Sequence, residues 1–192
     1  MATITKGRVT FTEEASEGKF GYIKGTCKWA ELLTIGLYGT YGIKMYGENV
    51  EDMETELRAM QKSAADEVKA LDKKYELADV IKTDEGGNKF IGFKLNENKH
   101  DGTPNKVTFF DAGGAEVPDW DQLVGNGSTV KIKYRIAPYY MASSKMVGIS
   151  FNFYAVQVID LKTYGGGGDS GFGDETSSDG PITSEAKGSD DF

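Results

Sequence analysis

The sequence predicts an α+β or mostly-β barrel with one helix inserted early in the fold. Two observations support this class. Short runs rich in β-branched and aromatic residues, separated by turn clusters, occupy most of the chain. Only one segment, 50–75, has the apolar spacing of a helix. Strands divided by turns around a single helix are typical of α+β and barrel folds.

The first 46 residues favour strands. Residues 3–11 alternate polar and apolar side chains, as an edge strand does. Residues 20–46 are rich in Tyr, Ile, Trp, Thr and Gly without helical spacing, which predicts two strands near 20–29 and 34–46. The many glycines in this stretch indicate strong bends or bulges.

One apolar stripe predicts a helix over 50–75, about 39 Å long at the usual rise per residue. Asn49 is the expected N-cap, followed by acidic residues in the first turn. The stripe favours packing on the core rather than a coiled-coil seam. Its members recur at steps of three or four: Val50, Met53, Leu57, Met60, Ala64, Val68, Leu71 and Tyr75.

The remaining strands are predicted between turn clusters. The turn clusters are 84–88, 111–114 and 125–127. The predicted strands are 90–95, 107–110, 129–136 and 147–161, the last of them bent at Ala155.

Acidic charge is concentrated at the C-terminal end. The net charge is −8, but residues 165–192 hold seven acidic residues and one lysine, which leaves −2 for residues 1–164. The low pI therefore does not exclude nucleic acid as a ligand of the body. Four glycines begin this tail, Asp190, Asp191 and Phe192 end it, and its composition cannot support a core. We expect a disordered acidic tail.

Several function classes are disfavoured. Cys27 is the only cysteine and His100 the only histidine, which disfavours an internal disulfide, a zinc site or a multi-histidine metal site. No cofactor is expected, and no nucleophile–base pair is recognisable. The sequence has no apolar run of membrane-spanning length and no signal-peptide pattern near its start, so a soluble, cytoplasmic protein is expected.

The segment 130–136 predicts a basic strand face. Strand side chains alternate, so Lys131, Lys133 and Arg135 should share one side of the sheet, with cations about 6.6 Å apart. This spacing suits a nucleic-acid backbone. The alternative is an ordinary solvated sheet face.

Aromatic residues accompany these cations. Tyr139 and Tyr140 follow Pro138 directly. An aromatic residue near a cation also occurs at Phe93 with Lys94 and at Lys44 with Tyr46. Exposed aromatics stack on bases for about 1–3 kcal/mol each without reading sequence. The alternative for the two tyrosines is packing at the barrel end. The predicted DNA-binding set is therefore Lys131, Lys133, Arg135, Tyr139, Tyr140, Lys94, Phe93 and Lys44.

The C-terminal third resembles a known family. The matching stretches are 127–134 through Pro138 and Tyr139, then 147–150, 155–161 and 164–167, together with the Asp190-Asp191-Phe192 end. They are similar to the single-stranded DNA-binding proteins of short-tailed, T-seven-like bacteriophages. The helix region 42–75 sits where that family has its helix, whereas the first 48 residues do not clearly align.

The resemblance implies a five-stranded OB-fold core over 1–164 and a homodimer acting in the cytoplasm of an infected bacterium. It implies binding to single-stranded DNA without sequence preference in replication, recombination, repair and annealing. It also implies that the tail, through Asp190, Asp191 and Phe192, contacts the phage DNA polymerase and helicase–primase, and that Tyr139 stacks on a base.

Two other functions stay open. One is a phage virion or assembly protein without DNA binding. The other is a metal-dependent nuclease, for which Asp119 and Asp121 are weak candidate ligands.

Overall fold

The computed structural model describes residues 2–5, 8–13, 17–71 and 73–163. Within these residues lie β1 (Thr3–Thr5), β2 (Arg8–Thr10), β3 (Lys19–Glu31), β4 (Thr40–Tyr46), α1 (Glu48–Asp52), α2 (Glu54–Ala70), β5 (Glu76–Leu77), β6 (Lys82–Thr83), β7 (Lys89–Asn96), β8 (Thr108–Phe110), β9 (Thr129–Met141) and β10 (Met146–Asp160).

Five strands close into a ring. Antiparallel pairing joins β10 to β9, β9 to β3, β3 to β4 and β4 to β7. A parallel contact between Lys94 of β7 and Asn152 of β10 completes the circle. This is the predicted OB-type barrel, with β3, β4, β7, β9 and β10 as its five strands.

Alternation along each strand fills the barrel. Side chains on the inner faces bury nearly all their surface, each worth about 1.5–3 kcal/mol of hydrophobic free energy. Buried side chains come from all five strands, for example Ile23, Ile43, Phe93, Ile132 and Phe153.

The helix is shorter than predicted. The segment breaks at Met53 into α1 and α2, and α2 ends at Ala70 rather than at 75. Leu71 and Tyr75 continue the apolar spacing because they pack on the same cluster as Val68 after the chain has left the helix. The apolar spacing therefore reflects a shared packing site and not a continuous helix.

Asn49 is not the N-cap. The first helix begins after Gly47, which has φ 120° and makes no side-chain cap. Asn49 lies inside the helix, and its Nδ2 donates to the Lys24 carbonyl at 2.6 Å. The side chain thus fastens α1 to β3 instead of capping its own helix.

Three strand boundaries differ from expectation. Residues 3–11 form two short paired strands, with Thr3 opposite Thr10, instead of one edge strand. The second early strand starts at Thr40, so 32–39 is a loop. Pro138, Tyr139 and Tyr140 lie inside β9, because β10 pairs with this stretch as far as Met141.

The predicted turns are confirmed. The Asp84 carboxylate accepts hydrogen bonds from the backbone N–H groups of Asn88 (2.8 Å) and Gly86 (3.0 Å). These bonds, with that from Asn88 the largest contribution, lower the pKa of Asp84. A register shift between Phe153 and Ala155 produces the bend expected in the last strand.

The C-terminal tail, with Asp190, Asp191 and Phe192, lies outside the described residues. Among the described helices, none combines the length and apolar character needed to cross a bilayer.

Candidate nucleic-acid interface

The structure places the predicted basic side chains of β9 on one face of the strand. Val130, Ile132, Tyr134 and Ile136 point into the core and are buried. Lys131 and Lys133 are exposed on the opposite side. Arg135 shares that side but is half-buried, and its Nε donates to the Glu17 carbonyl at 2.8 Å.

A second surface crosses the outside of β3, β4 and β7. It combines two lysines with three aromatic rings, and we call these residues the aromatic groove: Lys28, Trp29, Lys44, Tyr46 and Phe90. Trp29 is exposed, Tyr46 and Phe90 are buried, and Asp84 and Glu85 line the same depression. The rings of Tyr46 and Phe90 stack with centroids 5.4 Å apart. Lys28 Nζ lies 4.6 Å from the Tyr46 ring centroid, and Lys44 Nζ lies 4.9 Å from that of Phe90. The depression has a volume of about 630 Å³.

Strand register produces this surface. Tyr46 pairs with Phe90, and Lys44 pairs with Gly92 on one side and with Lys28 on the other. A Cβ placed on Gly92 or Gly42 would meet no atom within 4 Å. The two glycines therefore leave the strand backbone bare, as a flat floor beside the rings.

Trp29 is held in an unusual conformation. Its φ is 54°, in the left-handed region that bulky residues avoid, and it sits where the pairing of β3 with β4 shifts register. The side-chain oxygen of Asn126 accepts its N–H at 2.8 Å. The ring is 62% exposed, with Lys44 Nζ 5.9 Å from its centroid. An aromatic ring displayed to solvent at a strained backbone position is a candidate binding residue.

The aromatic groove continues toward β9. Phe90 also lines an adjoining depression of about 460 Å³ that contains Gly92, Lys94 and Tyr139. The Tyr139 ring lies over Gly148, where any Cβ would overlap it. Tyr139 is therefore half-buried with its ring position fixed. Phe90 thus lies between the aromatic groove, which contains Lys44, and a depression that contains Lys94 and Tyr139.

Two predicted residues have packing roles, and the prediction is corrected for them. Phe93 is 2% exposed and packs on Tyr134 and Phe151, because alternation along β7 turns Lys94 outward and Phe93 inward. Alternation along β9 turns Tyr140 toward the apolar cluster that includes Ala64 and Val68 of α2. Its hydroxyl donates to the Lys74 carbonyl at 3.1 Å. This packing is what the barrel-end alternative predicts for Tyr140.

The sequence prediction omitted a set of exposed rings beside Lys131 and Lys133. We call these five residues the lysine patch: Phe20, Tyr22, Lys131, Lys133 and Tyr154. Tyr22 pairs with Lys133 across β3 and β9, and Lys131 Nζ lies 5.1 Å from the Tyr22 ring centroid. The alternation of Phe20, Tyr22 and Lys24 along one strand face was the available signal.

The predicted site is therefore two surfaces and not one. Lys44 lies in the aromatic groove, and Lys94 and Tyr139 lie in the depression next to it. Lys131 and Lys133 lie in the lysine patch. A closed five-stranded ring with cations set beside exposed rings is the arrangement of an oligonucleotide-binding fold.

Comparison with known proteins agrees with an oligonucleotide-binding fold. The chain is 29% identical over 98 residues to the single-stranded DNA-binding protein of Enterobacteria phage T3, a match covering 51% of this chain and 40% of that protein. It is 30% identical over 91 residues to the single-stranded DNA-binding protein of Escherichia phage T7, covering 47% and 37%. The aligned region thus spans about two fifths of the length of these curated relatives.

The structural comparison covers more of the chain than the sequence comparison does. The crystal structure of gp2.5, a single-stranded DNA-binding protein encoded by bacteriophage T7, superposes with a TM-score of 0.63 at 21% identity, covering 87% of this chain and 100% of the other. This similarity confirms the fold. No protein-family model matches the sequence. The resemblance to phage single-stranded DNA-binding proteins is confirmed, and the two curated relatives are named as binding proteins and not as enzymes.

Proposed function

We propose that the chain binds single-stranded DNA without sequence preference, through the aromatic groove extended by Lys94 and Tyr139. The observation that carries this proposal is the exposed ring of Trp29, held at a positive φ by Asn126 beside Lys44. The names of the two phage relatives support the same ligand.

The chemistry of the groove suits an unpaired strand. The exposed Trp29 ring lines one depression and the half-buried Tyr139 ring lines the other. Base–aromatic stacking contributes about 1–3 kcal/mol per base for any base. Lys44 and Lys94 can neutralise phosphates between them, whereas Lys28 Nζ lies 3.8 Å from the Asp84 carboxylate. In a duplex the base faces are already stacked on one another, so the rings would have no partner. This accounts for selection of single strands without sequence readout.

Binding to oligonucleotides across a salt series tests the proposal. In a Trp120→Phe variant, Trp29 is the only tryptophan, so its emission reports binding directly. Trp120 stacks on Phe109 with ring centroids 5.3 Å apart, and phenylalanine can keep that contact. We expect single-stranded oligothymidine to quench the emission and to bind more tightly than duplex. Two neutralised phosphates predict a log-affinity versus log-salt slope of about −1.4. Equal affinity for duplex, or no salt dependence, contradicts the proposal.

Bulk added to the floor of the groove should block the strand. Gly92→Val adds a Cβ that meets no atom within 4 Å, at a strand position that favours β-branched residues. We expect the midpoint of thermal unfolding to be kept while affinity for oligothymidine falls at least tenfold, with Gly92→Ala intermediate. Filter binding and a thermal melt measure the two effects. Unchanged affinity in a folded Gly92→Val protein would place the strand elsewhere.

We propose a division of labour along the chain. Residues 1–164 form the OB-type DNA-binding domain, and 165–192 form an acidic tail that recruits the phage DNA polymerase and helicase–primase through Asp190, Asp191 and Phe192. The charge segregation and the resemblance support this role. A homodimer that coats and protects single strands during replication, recombination and repair in the infected host's cytoplasm is the corresponding biological setting.

A further inference from the structure

The lysine patch and the aromatic groove are separate surfaces of one barrel. The depression beside the lysine patch and the two depressions of the groove share no lining residue. Strand β3 contributes to both, with Tyr22 on the patch and Lys28 in the groove, about 20 Å apart along the strand. The division follows from pairing: β3 lies against β9 over 19–26 and against β4 over 26–31.

The patch has the chemistry of the groove. Phe20 and Tyr22 are 65% and 63% exposed, and Tyr154 is 39% exposed. The Phe20 and Tyr154 rings lie 6.4 Å apart. One adjoining depression of about 450 Å³ is lined by Tyr22, Phe110, Lys131, Lys133, Tyr154 and Gln157 among others, and none of its lining residues is acidic. A second depression that shares Tyr22 and Lys131 also contains Asp52 and Glu56. Within the described part of the chain, neither Lys131 nor Lys133 has a carboxylate within 4 Å.

We propose that the lysine patch is a second binding site for single-stranded nucleic acid, so that one protomer holds two strand segments at once. The inference rests on the proposed function, which supplies the first segment in the aromatic groove. Rings for stacking and cations for phosphates are together on the patch, and cations with ring faces are what an unpaired strand requires. The predicted role of Lys131 and Lys133 in DNA binding is thereby assigned to its own surface.

Charge favours a nucleic acid over a second copy of the chain at this patch. A two-fold interface centred here would bring Lys131 and Lys133 against their own mates. Like charges placed together across an interface oppose association. A nucleic-acid strand offers both negative phosphates and flat base faces to the same five residues.

Stoichiometry per protomer tests the proposal, with Trp29 emission in the Trp120→Phe background as an independent report on the groove. The probe is oligothymidine of about ten nucleotides, within the range that one OB fold covers. Isothermal titration of the full chain should give two oligonucleotides per protomer. The double variant Tyr22→Ser/Lys131→Gln should bind one, with Trp29 quenching retained. Both substituted side chains are exposed, and a thermal melt checks that the fold is kept.

Three results would overturn the two-site proposal. The first is one oligonucleotide per protomer for the unsubstituted patch. The second is a double variant with unchanged stoichiometry but an altered oligomeric state in light scattering, which would make the patch a protein interface. The third is a single oligonucleotide that leaves Trp29 emission unchanged and is lost in the double variant. Failure of the proposed function itself is distinct, because no oligonucleotide would then bind to either surface.

Discussion

Replacing Trp29 by alanine should weaken single-strand binding by about 1–3 kcal/mol, or roughly 5- to 150-fold, the range for loss of one base–aromatic stack. The salt dependence should stay nearly constant, because no phosphate contact is removed. Filter binding across a salt series measures both quantities. Stability should change little, since the ring is largely in solvent and alanine removes no core contact. An unchanged affinity would contradict the placement of the strand in the aromatic groove.

Asn126 should act on the same ring as a positioning residue. Its side-chain oxygen accepts the Trp29 N–H at the bulge, so Asn126→Ala frees the backbone to leave the left-handed region. We expect weaker binding together with a smaller quench of Trp29 emission at saturating oligothymidine. Asn126→Asp keeps an acceptor oxygen and should restore the size of the quench. An Asn126→Ala protein with full quenching would show that the bulge holds Trp29 without this bond.

Deleting residues 165–192 should have two opposite effects. The segment carries a net charge of −6 and can compete with phosphates for the lysines of the body, so its removal should tighten DNA binding, most strongly at low salt where screening is weakest. Binding to the polymerase and the helicase–primase should be abolished. DNA affinity and pull-down of the two partners measure these effects.

The terminal aromatic residue separates the two roles of the tail. Phe192→Ala leaves every charge in place, so it should impair partner binding with little effect on DNA affinity. A deletion that weakens DNA binding, or that leaves both partner contacts intact, would contradict the proposed role of the tail.

The sequence by itself determined the fold class, the approximate positions of most strands and the exposure of Lys131 and Lys133. Strand alternation has a period of two, so it fixes which side chains share a face regardless of the rest of the molecule. Turn chemistry is equally local, as the hydrogen bonds of Asp84 show. The segregation of acidic residues into the tail is a property of composition alone.

Only the tertiary structure decided which face of β7 is buried and which exposed residues meet. Phe93 and Lys94 are neighbours in sequence, but barrel closure turns the first into the core and the second into the groove. Lys44, Lys94 and Tyr139 come from three strands whose proximity depends on long-range pairing. The position of Trp29 depends on Asn126, nearly a hundred residues away, and on a bulge between paired strands. Such contacts are set by register and closure, which no local pattern encodes.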